Sequence, residues 1–257
     1  MINKASFILP FFCLIFLNST AQDISSNKAS KIFLTNFESD LNVKEIILSI
    51  DIILDSVKKN EKLYNDLTKY LFNYFEKYSL FPASEYIALK ALNQKEVALN
   101  SALVNKLESY RKVKVGNMAP NFELVGDVFK NGTTVKAAVH LSDVVAKYKL
   151  VIFGGSWCNQ CRAEMIQVLP RYNTWKSRGV EVVFVSLDTD KNEFEKFTAP
   201  FPFYSACDYK KWDTQAAKDY YVSSSPTIFL LDSDNKIMLR PPTIPALDTW
   251  LKSIGIN

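Results

Sequence analysis

All seven glycines of this 257-residue chain lie at or after Gly116, and so do all four tryptophans. Of the ten prolines, only Pro10 and Pro82 come earlier. Residues 22–112 therefore carry no glycine and one proline, which leaves little with which to build tight turns or bulges. Such a stretch should be helical. Apolar spacing agrees: Ile46, Ile50, Ile53 and Val57 recur at helical steps. So do Leu63, Leu67, Tyr70, Leu71, Tyr74 and Tyr78, and then Leu99, Leu103, Leu107 and Tyr110. Phe81-Pro82-Ala83-Ser84 reads as a break, with Ser84 able to cap the next helix. The expectation is a small all-α domain over 22–112 with three to five helices. Its Tyr and Phe stripes are read as core packing, with a binding groove as the alternative.

The first 21 residues have a different character. One cation at Lys4 precedes an apolar run Phe7–Leu17 and the small-residue stretch Asn18-Ser19-Thr20-Ala21, the pattern of a secretory signal peptide cleaved near Ala21. The run is too short for a membrane span, which needs about 20 apolar residues. Pro10-Phe11-Phe12 before Cys13 does not form a lipobox. An exported, soluble protein beginning near Gln22 is expected.

Composition excludes several classes. With 48% hydrophobic and 23% charged residues the chain is globular, not disordered. Its small positive net charge is spread along the chain, which argues against a nucleic-acid surface. A single histidine, His140, leaves no material for His-based metal sites or Ser-His-Asp catalysis. It reads as a helix-start neighbour without chemistry. Once Cys13 leaves with the leader, Cys158, Cys161 and Cys207 remain. Three cysteines cannot all pair within one chain, so a working thiol becomes plausible and a disulfide scaffold does not.

After Gly116 the texture changes. Leu150–Phe153, Val180–Leu187 and Thr227–Leu231 read as buried strands. Helical stretches lie between them, at about 158–176, 193–197 and 214–220. Strands alternating with helices imply a parallel sheet in an α/β domain over 113–257. Asp232-Ser233-Asp234-Asn235 turns into Lys236–Arg240 as an antiparallel partner, and Leu247–Ile254 closes the chain as a helix.

Trp157-Cys158-Asn159-Gln160-Cys161 directly follows the first strand and the loop Gly154-Gly155-Ser156. A cysteine in the first turn of a helix faces unpaired N–H groups and the positive end of the dipole, which favour the thiolate. Cys161, three residues on, shares its face and lies within reach of a disulfide after a small adjustment. Cys158, nearer the helix start, should exchange with a partner's sulfur, and Cys161 should resolve the mixed disulfide. The alternatives are a zinc half-site, for which a second ligand pair is lacking, and an inert bridge, whose loop is too small to stabilise much. Cys207 reads as a buried, inert thiol, and Asp188, at the end of the second strand, as a loop cap.

Three motifs in order, Gly116-Asn117-Met118-Ala119-Pro120-Asn121-Phe122, Trp157–Cys161 and Ser225-Pro226-Thr227, resemble the thioredoxin superfamily. More narrowly, the chain from 113 to 257 looks like the exported TlpA/ResA-like thiol–disulfide oxidoreductases. The resemblance implies a thioredoxin fold, a central mixed sheet flanked by helices, behind the small all-α domain. It implies that Pro226 is the family's cis-proline, flanked by Ser225 and Thr227 in a substrate-binding loop, with Trp157 beside the nucleophile. Glu164 matches a glutamate that passes protons to and from the cysteines. The implied partners are disulfide-containing exported proteins, reduced in a periplasm, and a membrane thiol–disulfide relay as electron donor. No cofactor is called for.

Departures from the family pattern are specific. Ile166 stands where many relatives have a helix-kinking proline, and Pro170 comes later. The first strand has no buried acid, so Glu164 is the one local carboxylate candidate, and Asn159-Gln160 brings no fixed positive charge. Two other functions stay in play. A peroxiredoxin-like thiol peroxidase shares the Gly116–Phe122 lead-in but would need a Pro-x-x-x-Thr-x-x-Cys environment that Phe153–Cys158 lacks. A non-enzymatic module regulated by its cysteines, copper delivery included, is the other.

Overall fold

A computed structural model describes residues 43–78 and 80–256. The leader expected at 1–21 and the start of the helical region lie outside them. The chain divides into two compact units between Glu108 and Ser109.

Four helices make up the N-terminal region among the described residues: α1 (Val43–Ser56), α2 (Glu61–Lys77), α3 (Phe81–Asn93) and α4 (Ser101–Lys112). Ile46, Ile50, Ile53 and Val57 are all buried, as their spacing predicts. The stripe on α2 is rotated from the expected one. Tyr64, Leu67, Leu71, Phe72 and Phe75 form its buried face, whereas Tyr78 is exposed. The helix carries aromatics nearly all round, so spacing alone does not choose the face. Ser84 is not a cap. Helix α3 begins at Phe81, with Leu80 in the cap position and Pro82 in the first turn, where a missing N–H costs nothing. Asn60 caps α2 by accepting from the Leu63 N–H. Buried Asn65 donates to Ala98 O and accepts from the Asn100 N–H, both at 2.9 Å, fixing the turn into α4.

The second unit is built on a seven-stranded sheet of order β2-β1-β5-β4-β3-β6-β7. The strands are β1 (Asp127–Lys130), β2 (Thr133–Thr134), β3 (Tyr148–Gly154), β4 (Val180–Ser186), β5 (Tyr204–Cys207), β6 (Thr227–Asp232) and β7 (Ile237–Leu239). Helices α5 (Asn159–Ser177), α6 (Lys191–Thr198), α7 (Gln215–Asp219) and α8 (Ile244–Ser253) pack around it. The sheet is mixed, as the thioredoxin resemblance implies, although the alternation of strands and helices by itself points to parallel strands. β3, β4 and β5 run parallel, but β6 returns antiparallel to β3, pairing Phe153 with Thr227. No long helix intervenes before β6; only the short α7 does, which is compatible with a reversed strand. β7 pairs antiparallel to β6, as expected of Lys236–Arg240. Strands β1, β2 and β5 are short and lack the long apolar run that marks a buried strand in the sequence.

Successive residues of the central strands alternate between two cores. Val151, Phe153, Val183, Val185, Phe229 and Leu231 enter one, with Phe122, Leu141 and Tyr220. Leu150, Ile152, Val182, Phe184, Ile228 and Leu230 enter the other, with Met165, Tyr172 and Trp175 of α5 and Leu247 and Leu251 of α8. Strands buried on both faces are mostly apolar, and each large apolar side chain so buried contributes about 1.5–3 kcal/mol. The two buried charged residues, Lys149 of β3 and Glu181 of β4, are hydrogen-bonded to Asn235 and Tyr172. Phe153 shows how this supports the site: its ring meets Phe122, Tyr220 and Phe229 one residue before the active-site loop begins.

Gly126 is required where β1 meets β5. Its φ is +81°, and a Cβ there would sit 2.0 Å from the Cys207 carbonyl oxygen. Gly126→Ala should therefore destabilise the second unit by on the order of 2 kcal/mol. Thermal unfolding checks this, and an unchanged midpoint would contradict the close approach.

Candidate active site

Strand β3 ends at Gly154, and the chain passes through Gly155, Ser156 and Trp157 into α5. This is the carboxyl edge of the sheet, where α/β folds gather their chemistry. At Gly154 the chain passes so close to Cys161 that a Cβ would lie 3.0 Å from its sulfur and would push it aside. Cys158 is the N-cap of α5, and its sulfur accepts the Cys161 N–H at 3.1 Å. A helix start thus points an orphan donor and its dipole at this sulfur. Cys158 and Cys161 are joined as a disulfide, with Cα atoms 5.2 Å apart. Cys158 is 8% exposed and Cys161 1%, so the first cysteine is the one a partner can reach.

The other expected site residues lie as follows. The Ser225–Pro226 peptide bond is cis, and the Cys158 sulfur sits 3.6 Å from Ser225 O. Thr227 begins β6, and its hydroxyl donates to Ser224 O at 2.7 Å. Trp157 is 44% exposed, with its indole N–H donating to Leu187 O at 3.2 Å. Glu164 stands one turn after Cys161 and is buried. Its Oε2 accepts the Ile244 N–H at 2.7 Å, holding the start of α8, while Oε1 has no hydrogen-bond partner among the described residues. Ile166 is exposed, and α5 runs from Asn159 to Ser177 with Pro170 inside it.

Two features that the sequence did not announce brace the loop. Asp188 is far more than a loop cap. It is buried, its carboxylate accepts the Ser156 N–H at 3.0 and 3.1 Å, and it takes the Ser156 and Ser186 hydroxyls at 2.6 Å each. Arg162, one turn into α5, donates from Nε to Ser156 O. The residue two before Cys158 is therefore held from both sides. Only the tertiary approach of β4 to the loop creates this tie, so no local pattern signals it. His140 starts a short 3₁₀ turn at Leu141–Asp143, its N–H donating to Asp143 Oδ2.

Cys207 is the free cysteine among the described residues and is buried, with its sulfur 3.5 Å from Asp188 O. Burial pushes its thiol up to about 11 from an ordinary 9.0, and the nearby Tyr209 backbone and Ser186 side chain only partly offset it. A thiol so placed is a poor nucleophile at neutral pH. No group of three or more His, Cys, Asp or Glu side chains is placed to hold a metal ion among the described residues.

Two outcomes follow from this geometry. Asp188→Ala leaves three buried donors without an acceptor and should cost roughly 3 kcal/mol, with Asp188→Asn milder; thermal unfolding of both variants checks it. For Cys207, the raised folded value means that its contribution to stability is present below pH 9.0 and is lost as pH rises through about 11. Cys207→Ala should flatten the fall in stability across that window, and an unchanged slope would show that the thiol is not shielded.

Comparison with known proteins agrees with the geometry. A family model described as thioredoxin-like matches residues 146–237. The thiol-disulfide oxidoreductase ResA of Geobacillus kaustophilus is 32% identical over 126 residues, covering 49% of this chain and 67% of that protein. ResA of Bacillus cereus (strain ATCC 10987 / NRS 248) is 31% identical over 150 residues, 56% of this chain and 80% of the relative. A thioredoxin-like protein from Bacteroides caccae ATCC 43185 superposes over 98% of this chain and 95% of its own, with a TM-score of 0.62 at 16% identity, which speaks to the fold alone. With its Cys158–Cys161 pair at the carboxyl end of a central thioredoxin-fold strand, this chain belongs to the ResA-like thiol–disulfide oxidoreductases.

Proposed function

We propose that this protein is exported, with residues 1–21 as its leader, and that it reduces disulfides in other exported proteins. The observation that carries the reading is the asymmetry of the pair. Cys158 lies at the helix N-cap with the Cys161 N–H on its sulfur, and Cys161 lies one turn deeper. In the dithiol form, the Cys158 thiolate attacks one sulfur of a partner disulfide. That S–S bond breaks, a Cys158–partner disulfide forms, and the departing partner sulfur leaves as a thiolate that takes a proton. Cys161 then loses its proton and attacks Cys158. The second partner thiol is released, and the Cys158–Cys161 disulfide closes. Two electrons pass to the partner. A dithiol of a membrane thiol–disulfide relay returns them in a periplasm.

Glu164 is the group suited to take and return the Cys161 proton. It is one turn away on the same helix, and its Oε1 has no hydrogen-bond partner among the described residues. The turn Ser225-Pro226-Thr227 is suited to hold the partner's backbone, since Ser225 O lies beside the Cys158 sulfur. Trp157 offers the partner an apolar surface next to the nucleophile. Against a peroxidase stands the loop itself, whose Ser156 hydroxyl is committed to Asp188.

Cys161→Ser should accumulate mixed disulfides through Cys158 on exported proteins, identifiable by mass spectrometry, because the resolving thiol is gone. The intact protein should reduce insulin, and Cys158→Ser should lower that rate by at least about a hundredfold. Absence of both adducts and insulin reduction contradicts the exchange reading. Peroxide consumption dependent on Cys158 would favour the peroxidase.

A further inference from the structure

Beside the reactive pair stands a turn that the exchange chemistry alone does not require. Asp208-Tyr209-Lys210-Lys211-Trp212-Asp213 follows β5, and both Tyr209 (φ +62°) and Lys211 (φ +56°) adopt the left-handed backbone without being glycine. Such conformations persist only where the surroundings over-determine them. The base of the turn is indeed anchored: the Tyr209 hydroxyl donates to Asp127 Oδ2, which also pairs with Lys191 at 3.1 Å. The far side of the turn reaches the active-site loop. Trp212 meets Trp157 edge-on with ring centroids 6.0 Å apart, and the Lys211 ammonium lies 5.0 Å from the centre of the Trp157 ring. Trp157 is 44% exposed, whereas Trp212 is half-buried against the core, so the pair presents a firmly seated apolar surface next to Cys158.

The charges on that surface are unequal in their freedom. Asp213 is engaged by Lys218 at 2.9 Å, and Asp208 has Lys210 within 3.9 Å. Asp188 is buried beneath the loop with its oxygens taken by the two serines. The Lys211 ammonium takes part in no ion pair among the described residues and lies over the Trp157 ring. A cation held over an aromatic face and left without a carboxylate is complementary to an acidic side chain brought in by a substrate.

We propose that the Lys210–Asp213 turn is the specificity-determining wall of the substrate site. It favours protein segments in which an Asp or Glu lies beside the half-cystine attacked by Cys158, with the acid meeting Lys211 and an adjoining apolar side chain meeting Trp157 and Trp212. The proposal rests on the exchange reading above and deepens it.

The test uses the reduced full chain and two synthetic cystine peptides that differ only in carrying Asp or Lys next to the half-cystine. A small neutral dialkyl disulfide is a third substrate for the wild type. Initial rates should favour the acidic peptide over the basic one by roughly two- to fivefold at low salt, and added salt should shrink the ratio. Lys211→Gln should bring the ratio close to one, and Lys211→Glu should invert it. Equal rates for the two peptides with the wild type, or a ratio that Lys211→Glu does not move, would overturn the proposal while leaving the exchange reading intact if the neutral disulfide is reduced. Failure of the wild type to reduce any of the three would overturn the exchange reading, and this proposal with it.

Discussion

The contact between the Cys161 N–H and the Cys158 sulfur is the point about which the second unit is arranged. Holding it requires that the first turn of α5 start at one fixed place, directly off the end of β3. That strand lies between β4 and β6 and is buried on both sides, so its end cannot move without disturbing two cores. Gly154 lets the Cys161 sulfur close against the backbone, and Ser156 is clamped between Asp188 and Arg162. The cis-proline turn completes the surround by bringing Ser225 O up to Cys158. Removing any one of these leaves the cysteines in the chain but loosens their setting.

That arrangement separates the three cysteines by environment instead of by sequence. Cys158 stands at a helix start and near the surface, where a thiolate is favoured. Cys161 lies one turn deeper, able to reach its partner and little else. Cys207 is sealed between strands, and burial holds its proton on. The same residue type thus yields an attacking group, a resolving group and a silent one. The two buried carboxylates nearest the pair divide in the same manner. Asp188 spends its oxygens on the loop, whereas Glu164 spends one on the start of α8 and keeps the other.

Much of this was legible in the sequence, and the reason is local. The absence of glycine before Gly116 marked a helical region, and helical spacing is a local property that α1 and α4 follow. The continuous apolar runs of β3, β4 and β6 announced strands buried on two faces. The cysteine spacing and its place after a strand announced the pair. What escaped was set by tertiary structure. The direction of β6, the short strands β1, β2 and β5, and the rotation of α2 that buries Phe72 and Phe75 depend on neighbours that spacing does not name. Asp188 looked like any acid at a strand end, because its partner Ser156 is distant in sequence and adjacent only across the parallel pairing of β3 and β4.

The central claim is that Cys158 is the attacking sulfur and that its helix-start setting makes it so. Competitive alkylation of the reduced, folded protein with a limiting amount of iodoacetamide, read out by peptide mass spectrometry, tests it most directly. The account predicts that Cys158 is modified well before Cys161 and Cys207 at neutral pH, and that unfolding the chain abolishes the difference. Modification of Cys161 first, or of both members of the pair at equal rates in the folded protein, would contradict it.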